Sequence, residues 1–401
     1  MIYSAYTALR RGTRPLGWLL ERGHLLARGE NNRWRATLAM RAAATLCELP
    51  ARALKTYPKT RYEVPGEQRV VASLPFADLL NFTGDNLADK PRVLIAAALS
   101  GHHATLLQDT VRAFVQDFDT YITDWKDARE VPLAAGDFGF DDYVEYLVRF
   151  MTTLGPGTHL VATCQAAPPA MVAAAILAEQ DPAHAPVSLT LMGGPVDTSA
   201  ASKLPTGLTQ RLPLWLFEKG NIRTVPRGFP GSGRRVYPGA SQLAGFIALN
   251  LAPHLRQYAR FVRNSLKGQD DALTDFRSFY DEYFSVLDMT ERFYLETLRK
   301  VFFERHIPRK VMDYRGIRVD FAAVRDLSLL TVEGANDNFC PPGQTEAAHG
   351  VFSGLAPERR RNYIQPGVGH YGVFSGSRFR REIYPVIRDF AMKSREYSVS
   401  H

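Results

Sequence analysis

The stretch "GTHLVATCQAAPPAMVAAAILAEQ", residues 157–180, decides the fold. Its first half is a short apolar run ending in a single thiol, Cys164, and reads as a buried strand. Its second half is an alanine-rich run after two prolines and reads as a helix. A strand that stops on a nucleophile and turns sharply into a helix needs small residues two before and two after the apex. Ala162 and Ala166 occupy those positions, so the turn reads A-T-C-Q-A where a serine enzyme would show G-x-S-x-G.

Working outward, the flanking chain alternates strands with helices. "RVLIAAALS" (92–100), "DTYITDW" (119–125) and "VSLTLMGGPVD" (187–197) read as strands, while "ATLLQDTVRAFVQDF" (104–118) and "FDDYVEYLVRFMTTLG" (140–155) read as helices. That alternation predicts βαβ units on a parallel sheet. Residues 196–325 break the rhythm: they are helical, aromatic and cationic, with no clear buried strand, and read as an inserted cap. The pattern returns in "LSLLTVEGANDNFCPP" (327–342), "RRNYIQPGVGH" (360–370) and the closing helix "FRREIYPVIRDFAMKSRE" (379–396). Four regions follow: a basic helical stretch over 1–60, the first part of the core over 61–195, the cap over 196–325, and the second part of the core over 326–401.

Two later loops supply partners for the thiol. Asp337 follows an apolar strand, and His370 sits in the Gly-rich "IQPGVGHYG". Nucleophile, acid, then histidine is the chain order of the α/β-hydrolase fold, a mostly parallel sheet here carrying a helical cap. An imidazole and a helix N-terminus both favour the reactive thiolate. Asp337 would orient His370 and stabilise its charged form. The backbone N–H of Gln165 would supply half of an oxyanion hole, with the other half expected near Ser100 in "LSGHH". Asp197 is an alternative acid, and Cys340, without small flanking positions, reads as packing. His102 and Trp125 lie at carboxyl ends of strands, where ligands bind open α/β sheets, and are candidate substrate contacts.

Composition limits the alternatives. The longest apolar stretch, "LAGFIALNLAP" (243–253), is too short to span a bilayer, and the arginine-dotted N-terminus does not read as a secretory signal. Three scattered cysteines, Cys47, Cys164 and Cys340, form neither a disulfide framework nor a metal-binding pattern, and suit a reducing cytoplasm. The net charge of +8 resides in residues 1–60, which hold eleven Lys/Arg against three Asp/Glu. That excess suits an anionic surface; no nucleic-acid-binding signature accompanies it.

Together "LSGHHATLL", "TDWKDAREVP", "VATCQA", "LMGGPVDT", "FYDEYFSVLDMTERFYLETLRKVF" and "LLTVEGANDNFCPPGQT" resemble the intracellular poly(3-hydroxybutyrate) depolymerases. The resemblance covers nearly everything from residue 60 onward. It implies a Cys–Asp–His triad on Cys164, Asp337 and His370, and amorphous storage granules in the bacterial cytoplasm as substrate. Polyhydroxyalkanoate synthases are similar relatives, but they show glycine where this chain has Ala162 and Ala166. No metal or cofactor is required by this chemistry. Coenzyme A is a candidate acyl acceptor, for which Lys219, Arg223, Arg227, Arg234 and Arg235 offer a cationic cluster. The basic N-terminal stretch is a candidate granule contact, and a homodimer is left open.

Overall fold

The structure is a computed structural model that describes residues 41–42, 44–45, 47–48, 51–52, 55, 57–83, 90–200, 213–249 and 251–399. An eight-stranded sheet forms its centre. In chain order its strands are β1 (Glu67–Ser73), β2 (Ala77–Thr83), β3 (Arg92–Ala96), β4 (Asp119–Trp125), β5 (His159–Thr163) and β6 (Ser188–Met192). Three strand pairs too short to join it belong to the cap region: β7 (Arg223–Thr224), β8 (Arg235–Tyr237) and β9 (Met289–Thr290) make one small sheet, and β10 (Asp313–Tyr314) with β11 (Ile317–Arg318) a hairpin. The central sheet resumes with β12 (Ser328–Gly334) and β13 (Arg360–Gln365).

The strand order is β1-β2-β4-β3-β5-β6-β12-β13, with β2 antiparallel and the rest parallel. This is the α/β-hydrolase fold expected from the sequence. Its parallel strands read as continuous apolar runs because both faces are covered; every residue of β5, β6 and β12 is buried. β1, by contrast, is an exposed edge strand whose residues give no alternating signal.

Four helices flank the sheet: α1 (Gln108–Phe114), α2 (Phe140–Leu154), α3 (Ala167–Gln180) and, at the C-terminus, Tyr384–Val399. Residues 167–177 of α3 are all buried, as befits a helix that is apolar all round. Its prolines fall in the first turn, where a missing N–H is harmless.

The cap runs between β6 and β12 and contains α4 (Leu214–Asn221), α5 (Gly239–Leu249), α6 (Leu251–Lys267), α7 (Asp270–Phe284) and α8 (Glu291–Thr297). It is not purely helical, contrary to the sequence reading. Strands of two or three residues are too short to leave a periodic signature. The cap also has a hydrophobic cluster of its own, centred on Phe261, Leu273, Phe276, Tyr280 and Tyr283.

Part of the N-terminal region packs on this cap. Arg277 grips Glu48 at 2.5 and 2.8 Å, Arg52 meets Asp281 at 2.7 Å, and Thr45 meets Ser265 at 2.6 Å. Most of the basic stretch, including "GWLLERGHLLARG", lies outside the described residues.

Candidate active site

Cys164 follows β5 immediately, at a φ of +51°, in a three-residue helical turn that leads into α3. Left-handed backbone is disfavoured for a residue with a Cβ, and it persists here because the surroundings fix it. Ala162 and Ala166 are fully buried beside the turn. Gly194 closes it from the next strand end: a Cβ there would stand 2.2 Å from the Ala167 Cβ. Only glycine fits.

The sequence-predicted partners converge on the thiol. His370 Nε2 lies 3.2 Å from Cys164 Sγ, and His370 Nδ1 lies 2.7 Å from Asp337 Oδ2. The other carboxylate oxygen of Asp337 accepts the backbone N–H groups of Phe339 and Cys340, both at 2.9 Å. The acid therefore cannot rotate away from the ring. The loop carrying it is itself anchored by buried Glu333, which accepts the N–H groups of Gly343, Thr345 and Glu346. Burial alone would lower the His370 pKa, but Asp337 and then Cys164 reverse this and raise it well above the usual histidine range. A protonated imidazole beside sulfur is the partner a thiolate needs.

The alternative residues separate cleanly. Asp197 bonds to Ser199 in its own turn, at 2.9 Å to the N–H and 2.6 Å to the hydroxyl. Cys340 is buried, and burial pushes its thiol pKa up. His102 lines the site and is held neutral by burial, its pKa lowered to about 4 despite a bond to the Tyr283 backbone. Its Nε2 has no partner among the described residues.

Trp125 is a correction. It is fully buried, packs edge-on against Phe138 and tilted against Tyr143, and does not line the site, so it cannot touch substrate. It does end β4, as the sequence predicts, but its side chain faces buried aromatics rather than the cavity. Ser100 does line the site. However, β3 and β5 pair with Ala96 opposite Ala162, and carried two residues further this register sets Ala98 level with Cys164.

Cys164, His370 and Asp337 open on a cavity of about 1740 Å³ between core and cap. Ala97, Ala98, Gln165, Phe339 and Phe374 line it from the core, and Phe246, Phe279, Tyr294 and Phe302 from the cap. Gly101 and His103 pair with Leu287 and Ser285, joining the two parts along this seam.

Residues 193–395 match the protein family described as PHB de-polymerase C-terminus. The chain belongs to that family. Several solved structures are similar at low identity. A monoglyceride lipase from Saccharomyces cerevisiae is 10% identical over 84% of this chain and 98% of its own, with a TM-score of 0.48. A thermophilic esterase from Thermogutta terrifontis is 14% identical over 82% and 99%, with a TM-score of 0.43. A hydrolase from Pseudomonas aeruginosa is 12% identical over 81% and 98%, with a TM-score of 0.43. No curated protein sequence matches the chain.

Within this depolymerase-family chain the proposed phosphate cluster does not assemble. Arg234 is buried and spends its guanidinium on the carbonyls of Gly136, Val131 and Pro132. Arg235 is held by Glu218 and Glu291, and Arg223 closes the end of α4 through the carbonyls of Gly220 and Ile222. None of the five cations lines the cavity.

Sequence reasoning missed Tyr371, which borders the cavity next to His370 and packs edge-on against Phe279 and Tyr283 of the cap. It also missed Glu333. The only available signal for Tyr371 was adjacency to the histidine, which does not say which way the ring turns.

Proposed function

We propose that this ester hydrolase of the PHB depolymerase family cleaves amorphous poly(3-hydroxybutyrate) granules in the cytoplasm, with Cys164 as the nucleophile. The observation that carries the reading is the chain Cys164–His370–Asp337, at 3.2 and 2.7 Å, opening on a large cavity walled by aromatics. A neutral, apolar polyester suits such walls.

In this reading the Cys164 thiolate attacks the ester carbonyl, and the oxyanion is met by the N–H of Gln165 at the α3 end. Collapse breaks the C–O bond, and His370 gives its proton to the departing alkoxide. The acyl group remains as a thioester. Water then attacks it with His370 as base, releasing a hydroxy acid and the thiol. The thiol of coenzyme A could replace water in the second step by thioester exchange. The apolar cavity and the family membership support the substrate; the acceptor is read from chemistry alone.

The test is product release from amorphous poly(3-hydroxybutyrate) granules by the wild type and Cys164→Ala, with and without coenzyme A. Free 3-hydroxy acids or acyl-coenzyme A that vanish in the variant are expected, and their identity names the acceptor. An inert wild type under both conditions overturns the reading.

A further inference from the structure

Trp125 and Tyr143 do not face the cavity, yet both end on the same atom beside it. Trp125 Nε1 donates to the Ala97 carbonyl at 2.7 Å, and the Tyr143 hydroxyl donates to that carbonyl at 2.6 Å. Both side chains are fully buried. The Ala97 carbonyl therefore points into the core.

A trans peptide unit is planar, with its C=O and N–H on opposite sides, and no cis peptide occurs among the described residues. With the Ala97 carbonyl turned to the core, the Ala98 N–H is turned the other way. Ala97 and Ala98 line the cavity, whereas Trp125 and Tyr143 do not. The strand register places Ala98 level with Cys164. We infer that the Ala98 N–H is the second oxyanion donor, and that Trp125 and Tyr143 are positioning residues that clamp its peptide.

The arrangement has a physical logic. A backbone N–H at a loop start can flip away, and a flipped peptide would present its carbonyl to the oxyanion. Two donors occupy both lone pairs of the Ala97 oxygen, so a flip would strand two buried polar groups. The preceding peptide is tied as well, its Ala97 N–H donating to Thr123 Oγ1 at 2.9 Å, so the clamped unit has a fixed neighbour. The hole is thus preformed in the free protein.

The inference rests on the ester-cleavage reading, and the test separates the two. Tyr143→Phe removes only a hydroxyl; Trp125→Phe is the companion variant. Two reactions of Cys164 are compared in the full chain. Hydrolysis of p-nitrophenyl butyrate passes through an oxyanion. Alkylation by iodoacetamide, followed on the Cys164 peptide by mass spectrometry, needs the thiolate but forms no oxyanion.

Tyr143→Phe is expected to lower kcat about tenfold, with KM little changed and alkylation within about twofold of the wild type. Equal losses in both reactions would mean that the triad had moved, and unchanged hydrolysis would mean that the clamp is idle; either overturns the inference. A wild type that is alkylated but does not hydrolyse the ester would sink the ester reading and the inference with it. Hydrolysis by the wild type with no effect of either variant would sink the inference alone.

Discussion

Cys164 and His254 stand on the two halves of the molecule and are held in different ways. Around Cys164 the constraints are backbone: strand register to β3 and β6, the glycine at 194, and small buried alanines. On α6, the His254 ring is tied by side chains, to the hydroxyls of Tyr280 and Tyr283 at 2.8 and 3.2 Å. Leu251 and Leu255 of the same helix are more than half exposed. The core sets where the reacting atoms are, through a hydrogen-bonded sheet that cannot shift one strand without its neighbours. The cap sets much of what surrounds them, Phe246 and Phe279 from its own aromatic cluster and Tyr294 and Phe302 from where the cap joins the main core. Changes in the core should therefore strike kcat, and changes in the cap should strike substrate choice.

The largest effects should come from the triad. Cys164→Ala should reduce ester turnover to background, and Asp337→Asn should lower kcat about 10²–10⁴-fold while far-ultraviolet circular dichroism stays native. A cap substitution with an equal effect on short esters would break the division of labour.

Next in size is the elbow support. Gly194→Ala drives a methyl against Ala167 and should cost about 1–3 kcal/mol in urea unfolding, together with slower alkylation of Cys164. Wild-type stability with slower alkylation would show that the turn yields locally instead.

Acid should weaken the core through its buried histidines. His159 is buried with its pKa lowered to about 4, chiefly by burial. The unfolded chain takes up this proton near pH 6.5 and the folded one does not, so stability is full above about 6.5 and falls as pH drops toward 4. His102 and His103, lowered to about 4 and about 3, add in the same direction. Asp127, raised to about 7 by burial and then by Asp288, opposes them because its folded form binds the proton first. His159→Asn should flatten the slope of stability between pH 4 and 6.5 by about 1.4 kcal/mol per unit at most. An unchanged slope would place the proton uptake elsewhere.

The smallest effect should be Phe279→Ala, a cap residue on the cavity wall. It should raise KM severalfold for esters of longer acyl chains, leaving kcat on p-nitrophenyl acetate near the wild-type value.

Much of the core was legible because its signals are local. Small residues around Cys164, an acid after one strand and a histidine in a late glycine loop carry their meaning in the chain itself. What failed to show depends on partners distant in sequence. Trp125 was misread because a strand end does not reveal which face its last side chain takes. The sequence places the second oxyanion donor only to the region of Ser100, because the level of a loop residue is known only once β3 is paired with β5. The cationic cluster looked free because the carbonyls that bind Arg234 lie about a hundred residues upstream. The cap's short strands and its aromatic cluster rest on contacts that no periodicity records.

At a φ of +51°, Cys164 occupies backbone that glycine would fill with less strain. The fold's own preference at this position therefore runs against the thiol. Cys164→Gly should relieve strain at the turn while removing the thiol. Arg305, Lys310 and Arg315 share this backbone region at φ of 50–57°, so the dihedral alone marks no function; what sets Cys164 apart is that its strained turn ends beside His370 Nε2.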